Sequence, residues 1–136
     1  MLMVEAPAKI NLTLEVLGKR TDGYHEIRSV IQTLSFCDTL QFTPGKEIKI
    51  KGNIPEWSGE QSLVAKAVKM LQEAAGCTKG AAIKIKKRIP LISGLGGDSS
   101  DAAAVLQPLT SIFFFFHNII LRLRRYPKNL LRVQGY

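Results

Sequence analysis

Gly94, Gly96 and Gly97 fall within four positions, between the basic segment Lys84–Ile89 and the alanine-rich segment Ala102–Leu106. No other feature constrains the chain so much. Closely spaced glycines let the backbone take positive φ and approach a ligand with no side chain in the way, so several amides can converge on one anion. Ser99, Ser100 and Asp101 are residue types that cap helices, and they stand directly before Ala102-Ala103-Ala104-Val105-Leu106. The expectation is a strand, a glycine loop and a capped helix whose positive dipole end faces the loop. That arrangement holds phosphate.

Two well-known phosphate loops are excluded. A Walker A loop ends in Gly-Lys-Ser/Thr, whereas Gly97 is followed by Asp98. A dinucleotide fingerprint begun at Gly94 has its second glycine at Gly96 and meets Ser99 where the third belongs. The net charge of +8 gives little support for a nucleic-acid partner. Residues 1–106 hold 14 basic and 11 acidic residues, a net of +3, and the remaining charge is Arg122, Arg124, Arg125, Lys128 and Arg132. No stripe of basic and aromatic residues accompanies the charge in the body of the chain. Cys37 and Cys77 have neither metal-ligand spacing nor a disulfide framework, which predicts reduced thiols in a cytoplasmic protein. The N-terminus Met-Leu-Met-Val-Glu-Ala-Pro has neither the basic region nor the apolar run of a secretory signal.

Residues 4–17 alternate, with Ile10, Leu12, Leu14 and Val16 expected on a core face and Lys9, Asn11, Thr13 and Glu15 on the accessible one. The glycines of Gly18–Gly23 predict a turn, Tyr24–Phe36 a second strand, and Thr39–Thr43 and Glu47–Lys51 two more around Pro44-Gly45-Lys46, together a β-meander. Gln61–Ala75 has helical spacing of Leu63, Ala67, Leu71 and Ala75, with Gly76 as its stop. Ala81–Ile89 alternates again and leads into Pro90. The expected fold class is α+β, a mostly antiparallel sheet with packed helices.

Four segments together resemble one known family. They are Pro7-Ala8-Lys9-Ile10-Asn11-Leu12, Gly18-Lys19-Arg20-Thr21-Asp22-Gly23-Tyr24-His25-Glu26, Lys87-Arg88-Ile89-Pro90 and Gly94-Leu95-Gly96-Gly97-Asp98-Ser99-Ser100-Asp101-Ala102-Ala103. The likeness is to the 4-diphosphocytidyl-2-C-methyl-D-erythritol kinases, of the superfamily that holds galactose, homoserine, mevalonate and phosphomevalonate kinases (GHMP kinases), and it covers about residues 3–106. The resemblance implies the N-terminal, ATP-binding domain of that fold over residues 1–107. It also implies transfer of the ATP γ-phosphate to a hydroxyl of a cytidine-diphosphate-linked methylerythritol, a step of non-mevalonate isoprenoid precursor synthesis. ATP and Mg²⁺ are the implied cofactors, and a small molecule is the implied partner. By the same resemblance Lys9 is the catalytic lysine at the accepting hydroxyl, and Asn11, Tyr24 and His25 bind substrate, the ring by stacking on cytosine and the imidazole by reading its edge. Lys87, Pro90, Gly94, Leu95, Gly96, Gly97, Asp98, Ser99 and Ser100 would bind ATP, with the hydroxyls of Ser99 and Ser100 available to the metal.

The sequence departs from the family pattern at several places. Asp98 replaces a frequent glycine, and is expected to face outward or to help hold the metal. Ser62 stands where relatives usually carry asparagine. No acidic residue follows Asp101, so the downstream aspartate that serves the family as general base has no counterpart. Residues 108–136, with Phe113–Phe116 and five cations, are expected to lie outside the resemblance and to be an aberrant tail. Its apolar run is broken by His117 and Asn118 and is too short to span a membrane, although an interfacial anchor stays open. Two functional expectations follow: a kinase fragment without turnover, or a nucleotide-binding module whose tail meets a membrane or a partner chain.

Overall fold

The computed structural model describes residues 1–114; residues 115–136 of the tail expected from residue 108 lie outside them. Strands β1 (Leu2–Lys19), β2 (His25–Gly45), β3 (Lys49–Gly52) and β4 (Gly80–Lys86) form one sheet, in the order β1-β2-β4-β3. Helices α1 (Leu63–Ala75) and α2 (Gly97–Phe114) pack on one of its faces. The β1/β2 and β2/β4 pairs are antiparallel, and β3 runs parallel to β4. The α+β, mostly antiparallel expectation holds. The meander does not, because β4 lies between β2 and β3. The expected second and third strands are a single strand, β2, in which the extra residues of a bulge lie opposite Pro7 and Lys9 of β1.

Alternation decides which side chains reach the core. On β2 and β4 the inward rows are Leu40, Phe42, Ala81, Ile83 and Ile85, which meet Val64, Val68 and Leu71 of α1 and Val105 and Leu109 of α2. On β1 the inward row is Ala6 and Ala8, small enough for α2 to lie close. The expected core row of β1 is not buried: Leu12, Leu14 and Val16 are 58%, 58% and 59% exposed. Beyond Lys9 the β1/β2 pair leaves the four-stranded sheet as a two-stranded arm with no described helix on either face, so the period holds and the burial does not.

Ser62 caps α1, its hydroxyl accepting from the Ala65 amide at 3.2 Å and donating to the Gly59 carbonyl at 2.6 Å. The helix starts at Leu63, not Gln61, and Gly76 closes it at φ +57°. Helix α2 starts earlier than expected, at Gly97, which puts Ser99, Ser100 and Asp101 inside its first turns instead of at its cap. It also continues through Pro108 to Phe114, with Leu109 fully buried.

A buried ion cluster ties these elements together. Lys87, directly after β4, has a side chain 1% exposed, and its ammonium lies 2.9 Å from Asp38 Oδ2 of β2 and 2.9 Å from Asp101 Oδ2 of α2. Asp98 Oδ1 is 3.0 Å away on the more open side. The other Asp38 oxygen accepts from the amides of Arg88 and Ile89 at 2.5 and 2.7 Å. Asn53 completes the hub, accepting from the Lys87 amide at 2.6 Å and donating to the Lys87 carbonyl at 3.3 Å. Burial opposes the Lys87 charge, but hydrogen bonds to Asp101, Asp38 and Asp98 outweigh it and hold the group above its ordinary pKa. One cation cannot neutralise three carboxylates. Burial, reinforced by the charges of Asp38 and Asp98, therefore pushes Asp101 up to about 6 despite the attraction of Lys87, and its Oδ1 has no donor among the described residues.

Lys87→Met would strand buried carboxylates without a counter-charge and should cost about 3–5 kcal/mol of unfolding free energy by urea titration; a loss under 1 kcal/mol would deny the hub its role. The pH dependence follows from Asp101. Its pKa is higher folded than unfolded, so the folded state binds the proton more tightly and stability rises as pH falls from 7 toward 5. Asp101→Asn removes this gain, on the order of 1 kcal/mol between pH 7 and 5; parallel stability curves for the two proteins over that range would contradict the assignment.

Candidate functional site

The loop between the hub and α2 turns through Ile92 at φ +55° and Gly94 and Gly96 at φ +73°. The last two are the positions where the sequence put glycine for that purpose. Gly97 needs glycine for another reason: a Cβ there would lie 2.9 Å from Ile89 Cγ2. The helix begins as soon as the loop closes, with the Ser100 amide donating to the Gly96 carbonyl at 2.9 Å. The preceding amides, those of Gly96, Gly97, Asp98 and Ser99, make no hydrogen bond within the described residues. They are the orphan donors of a helix N-terminus, carrying its partial positive charge. Leu95 is spent on its own turn, its amide bonding the Ser93 hydroxyl at 3.4 Å, and that hydroxyl donates to the Pro90 carbonyl at 2.8 Å.

Strand β1 meets this loop at Lys9. The Lys9 amide donates to the Leu95 carbonyl at 2.9 Å, which fixes the loop against the strand edge. The Lys9 stem runs over Gly96, where a Cβ would sit 3.1 Å from Lys9 Cε. Its ammonium donates to the Gly94 carbonyl at 2.8 Å and to Asn11 Oδ1 at 3.4 Å. Lys9, Asn11 and these amides thus share one locality, with a side-chain cation on one side and a helix end on the other.

The remaining predicted residues lie elsewhere. Lys87 is buried, its ammonium taken by the carboxylates of Asp38, Asp98 and Asp101. Asp98, 48% exposed, turns one oxygen to Lys87 and leaves the other free. Tyr24 and His25 are at the tip of the arm, where Lys19 pairs with His25. The tip is internally braced. Tyr24 donates its amide to Asp22 Oδ1 at 3.2 Å, the Arg20 amide donates to the Tyr24 carbonyl at 2.6 Å, and Gly23 takes φ +87°. The Arg20 guanidinium lies 3.1 Å from Asp22 and 3.0 Å from Glu26, and hydrogen bonds to Asp22 and then Glu26 hold it above its ordinary pKa. Ten residues of β1 separate this tip from Lys9, roughly 33 Å if the strand were straight.

The donor set bears on a divalent cation. Among the described residues no group of three His, Cys, Asp or Glu is arranged to hold a metal ion, and the three clustered carboxylates already surround an ammonium. What this chain offers is oxygen at the start of α2: the Ser99 and Ser100 hydroxyls and the free Asp98 oxygen. Few protein oxygens suit Mg²⁺, which keeps several waters and takes the rest of its shell from phosphate.

Residues 62–124 match the GHMP kinases N terminal domain. The chain is 56% identical over 113 residues to a 4-diphosphocytidyl-2-C-methyl-D-erythritol kinase of Dehalococcoides mccartyi, covering 83% of this chain and 40% of that one. It is 45% identical over 113 residues to the enzyme of that name from Paramagnetospirillum magneticum, with 81% of this chain and 40% of that one covered. A crystal structure of 4-(cytidine 5'-diphospho)-2C-methyl-D-erythritol kinase superposes with a TM-score of 0.71 at 36% identity, over 90% of this chain and 45% of that chain. A mevalonate kinase shares the fold alone, at a TM-score of 0.61 and 18% identity, over 91% of this chain and 44% of its own. The chain spans about 40% of the length of the curated relatives it matches. By sequence and by fold the chain matches the N-terminal part of the 4-diphosphocytidyl-2-C-methyl-D-erythritol kinases, and residues 62–124 match the N-terminal domain of the GHMP kinases.

Proposed function

We propose that this chain carries the nucleotide-holding and acceptor-positioning part of a cytoplasmic kinase that phosphorylates a hydroxyl of 4-diphosphocytidyl-2-C-methyl-D-erythritol from ATP. One observation carries the reading: the Lys9 ammonium stands against the glycine loop whose following amides are unbonded. Phosphoryl transfer asks a protein chiefly to align two anionic reactants and offset their charge. The amides of Gly96, Gly97, Asp98 and Ser99 would receive phosphate oxygens of ATP, while the α2 dipole adds fixed positive potential. Lys9 would leave the Gly94 carbonyl for the acceptor, where its charge lowers the hydroxyl's pKa and meets the transferring group. Asn11, bonded to Lys9, would orient that ammonium or the acceptor itself. Tyr24 and His25 would read cytosine at the other end of the substrate.

Mg²⁺, when bound, would neutralise phosphate charge, and the hydroxyls of Ser99 and Ser100 and the outward oxygen of Asp98 are the groups that would hold it. Lys87 acts in this scheme through position: it draws Asp98 aside from the phosphate path and fixes the first turn of α2. Because no carboxylate follows Asp101, the 136-residue polypeptide supplies no downstream base to accept the hydroxyl proton.

Calorimetry with ATP–Mg²⁺ tests the first half of the proposal. The 136-residue chain should bind, and Gly97→Val, whose Cβ collides with Ile89, should weaken binding at least tenfold. Lys9→Ala should leave nucleotide affinity within about threefold while abolishing the effect of nucleotide on binding of the cytidine-linked substrate. Absence of heat with either ligand would remove the proposal. A coupled ADP-release assay on the same polypeptide should give no turnover above background, and measurable turnover would show that a base has been overlooked.

A further inference from the structure

The outer face of the sheet, opposite the helices, carries a feature that the kinase reading does not use. Strand register brings Lys51 of β3 beside Lys84 of β4, and the period of two puts Lys86 and Lys49 on the same face. Neighbouring strands lie about 4.8 Å apart and alternate residues about 6.8 Å apart, so four ammonium groups share a patch about one strand spacing wide. Gln41, the partner of Lys84, and Thr39, the partner of Lys86, supply hydrogen-bonding side chains alongside. Lys51, Lys84, Lys86, Thr39 and Gln41 line an open groove of about 400 Å³. Among the described residues none of the four lysines makes an ion pair. Glu5, the partner of Thr39 on β1, is two strand spacings, about 10 Å, from Lys86. The charges repel one another with no internal relief.

We propose that this groove is a second anion site, distinct from the glycine loop, that binds a linear oligophosphate of two or more phosphoryl groups. A monovalent anion would balance one of the four charges and leave three, whereas successive phosphoryl groups place charges at spacings that paired lysines on adjacent strands can follow. Thr39 and Gln41 offer hydrogen bonds to the same oxygens. Among the described residues no aromatic ring lines the groove, so a nucleoside finds nothing there to stack on and the phosphate chain itself is what is recognised.

Lysine acetylation of the intact chain at 0.15 M salt, read by mass spectrometry with and without inorganic tripolyphosphate, tests this. Lys51, Lys84 and Lys86 should be protected about tenfold, while Lys66 and Lys69 on α1 stay reactive. Uniform protection of all these lysines, or none, would overturn the site. In Lys51→Ala/Lys84→Ala, with a melting curve as the check on folding, protection of Lys86 should vanish; persistence would also overturn it. In the wild-type chain, which needs no folding check, ATP should protect the groove no better than tripolyphosphate. Protection by ATP alone would refute recognition of the bare phosphate chain.

Discussion

A single ammonium among three carboxylates fixes where the glycine loop begins and ends. Asp38 on β2 holds the backbone of Arg88 and Ile89 just before the loop, and Lys87 holds Asp98 and Asp101 just after it. Both ends of the segment from Pro90 to Gly96 are therefore pinned to one buried point. The loop can then be irregular, with three residues at positive φ, and still have one shape. Replacing such a cluster with apolar side chains of matching volume often leaves stability unchanged or higher, whereas removing one member strands the rest. Its contribution here is positional: it sets β2, β4 and α2 in one relation, and the amide cradle inherits that relation.

The same cluster solves an electrostatic problem posed by Asp98. A carboxylate at the first turn of a helix suits the helix dipole but competes with any anion for the same amides. Lys87 takes one of its oxygens at 3.0 Å and turns the side chain aside. A second carboxylate, Asp101, is fully buried one turn further on. Burial pushes its pKa up to about 6, so the negative charge it places behind the loop is the one that mild acid removes first. Lys9, whose stem crosses Gly96, adds positive charge on the loop's other flank.

Much of this was legible in the sequence, and the misses have physical causes. The glycine loop, the helix after it, the strand period of β1 and β4 and the stop at Gly76 follow from local chemistry that tertiary packing did not override. The hub was missed although its signal was present. Asp38 is in phase with Leu40 and Phe42, and Lys87 with Ala81, Ile83 and Ile85, so two charges in apolar rows already implied a buried pair. Asp101 was read as a cap because Ser-Ser-Asp before alanines is a capping pattern; the early helix start at Gly97 turned the same carboxylate inward. The place of β4 between β2 and β3 was beyond local patterning, because a short strand before a helix gives no sign of which edge it will join.

The arm is where sequence and structure diverge most, and the divergence carries meaning for function. Its alternation of Leu12, Leu14 and Val16 with polar residues marks a strand that has a face to cover, yet no described helix lies over it. The register shifts at Pro7/Lys9, Asn11/Thr13 and Val16/Gly18 each bend the strand and raise its twist. Three such shifts in one hairpin turn its path away from a straight line between Lys9 and the tip that carries Tyr24 and His25. Under the proposed function this curvature has a specific task. A cytosine-reading tip and a lysine at the acceptor hydroxyl must address the two ends of one molecule, and a bent arm braced at its tip by Arg20 and at its base by the Lys9 amide can hold both ends in register. Lys9 is then the point where the two halves of the site meet: its backbone belongs to the arm, and its side chain to the loop.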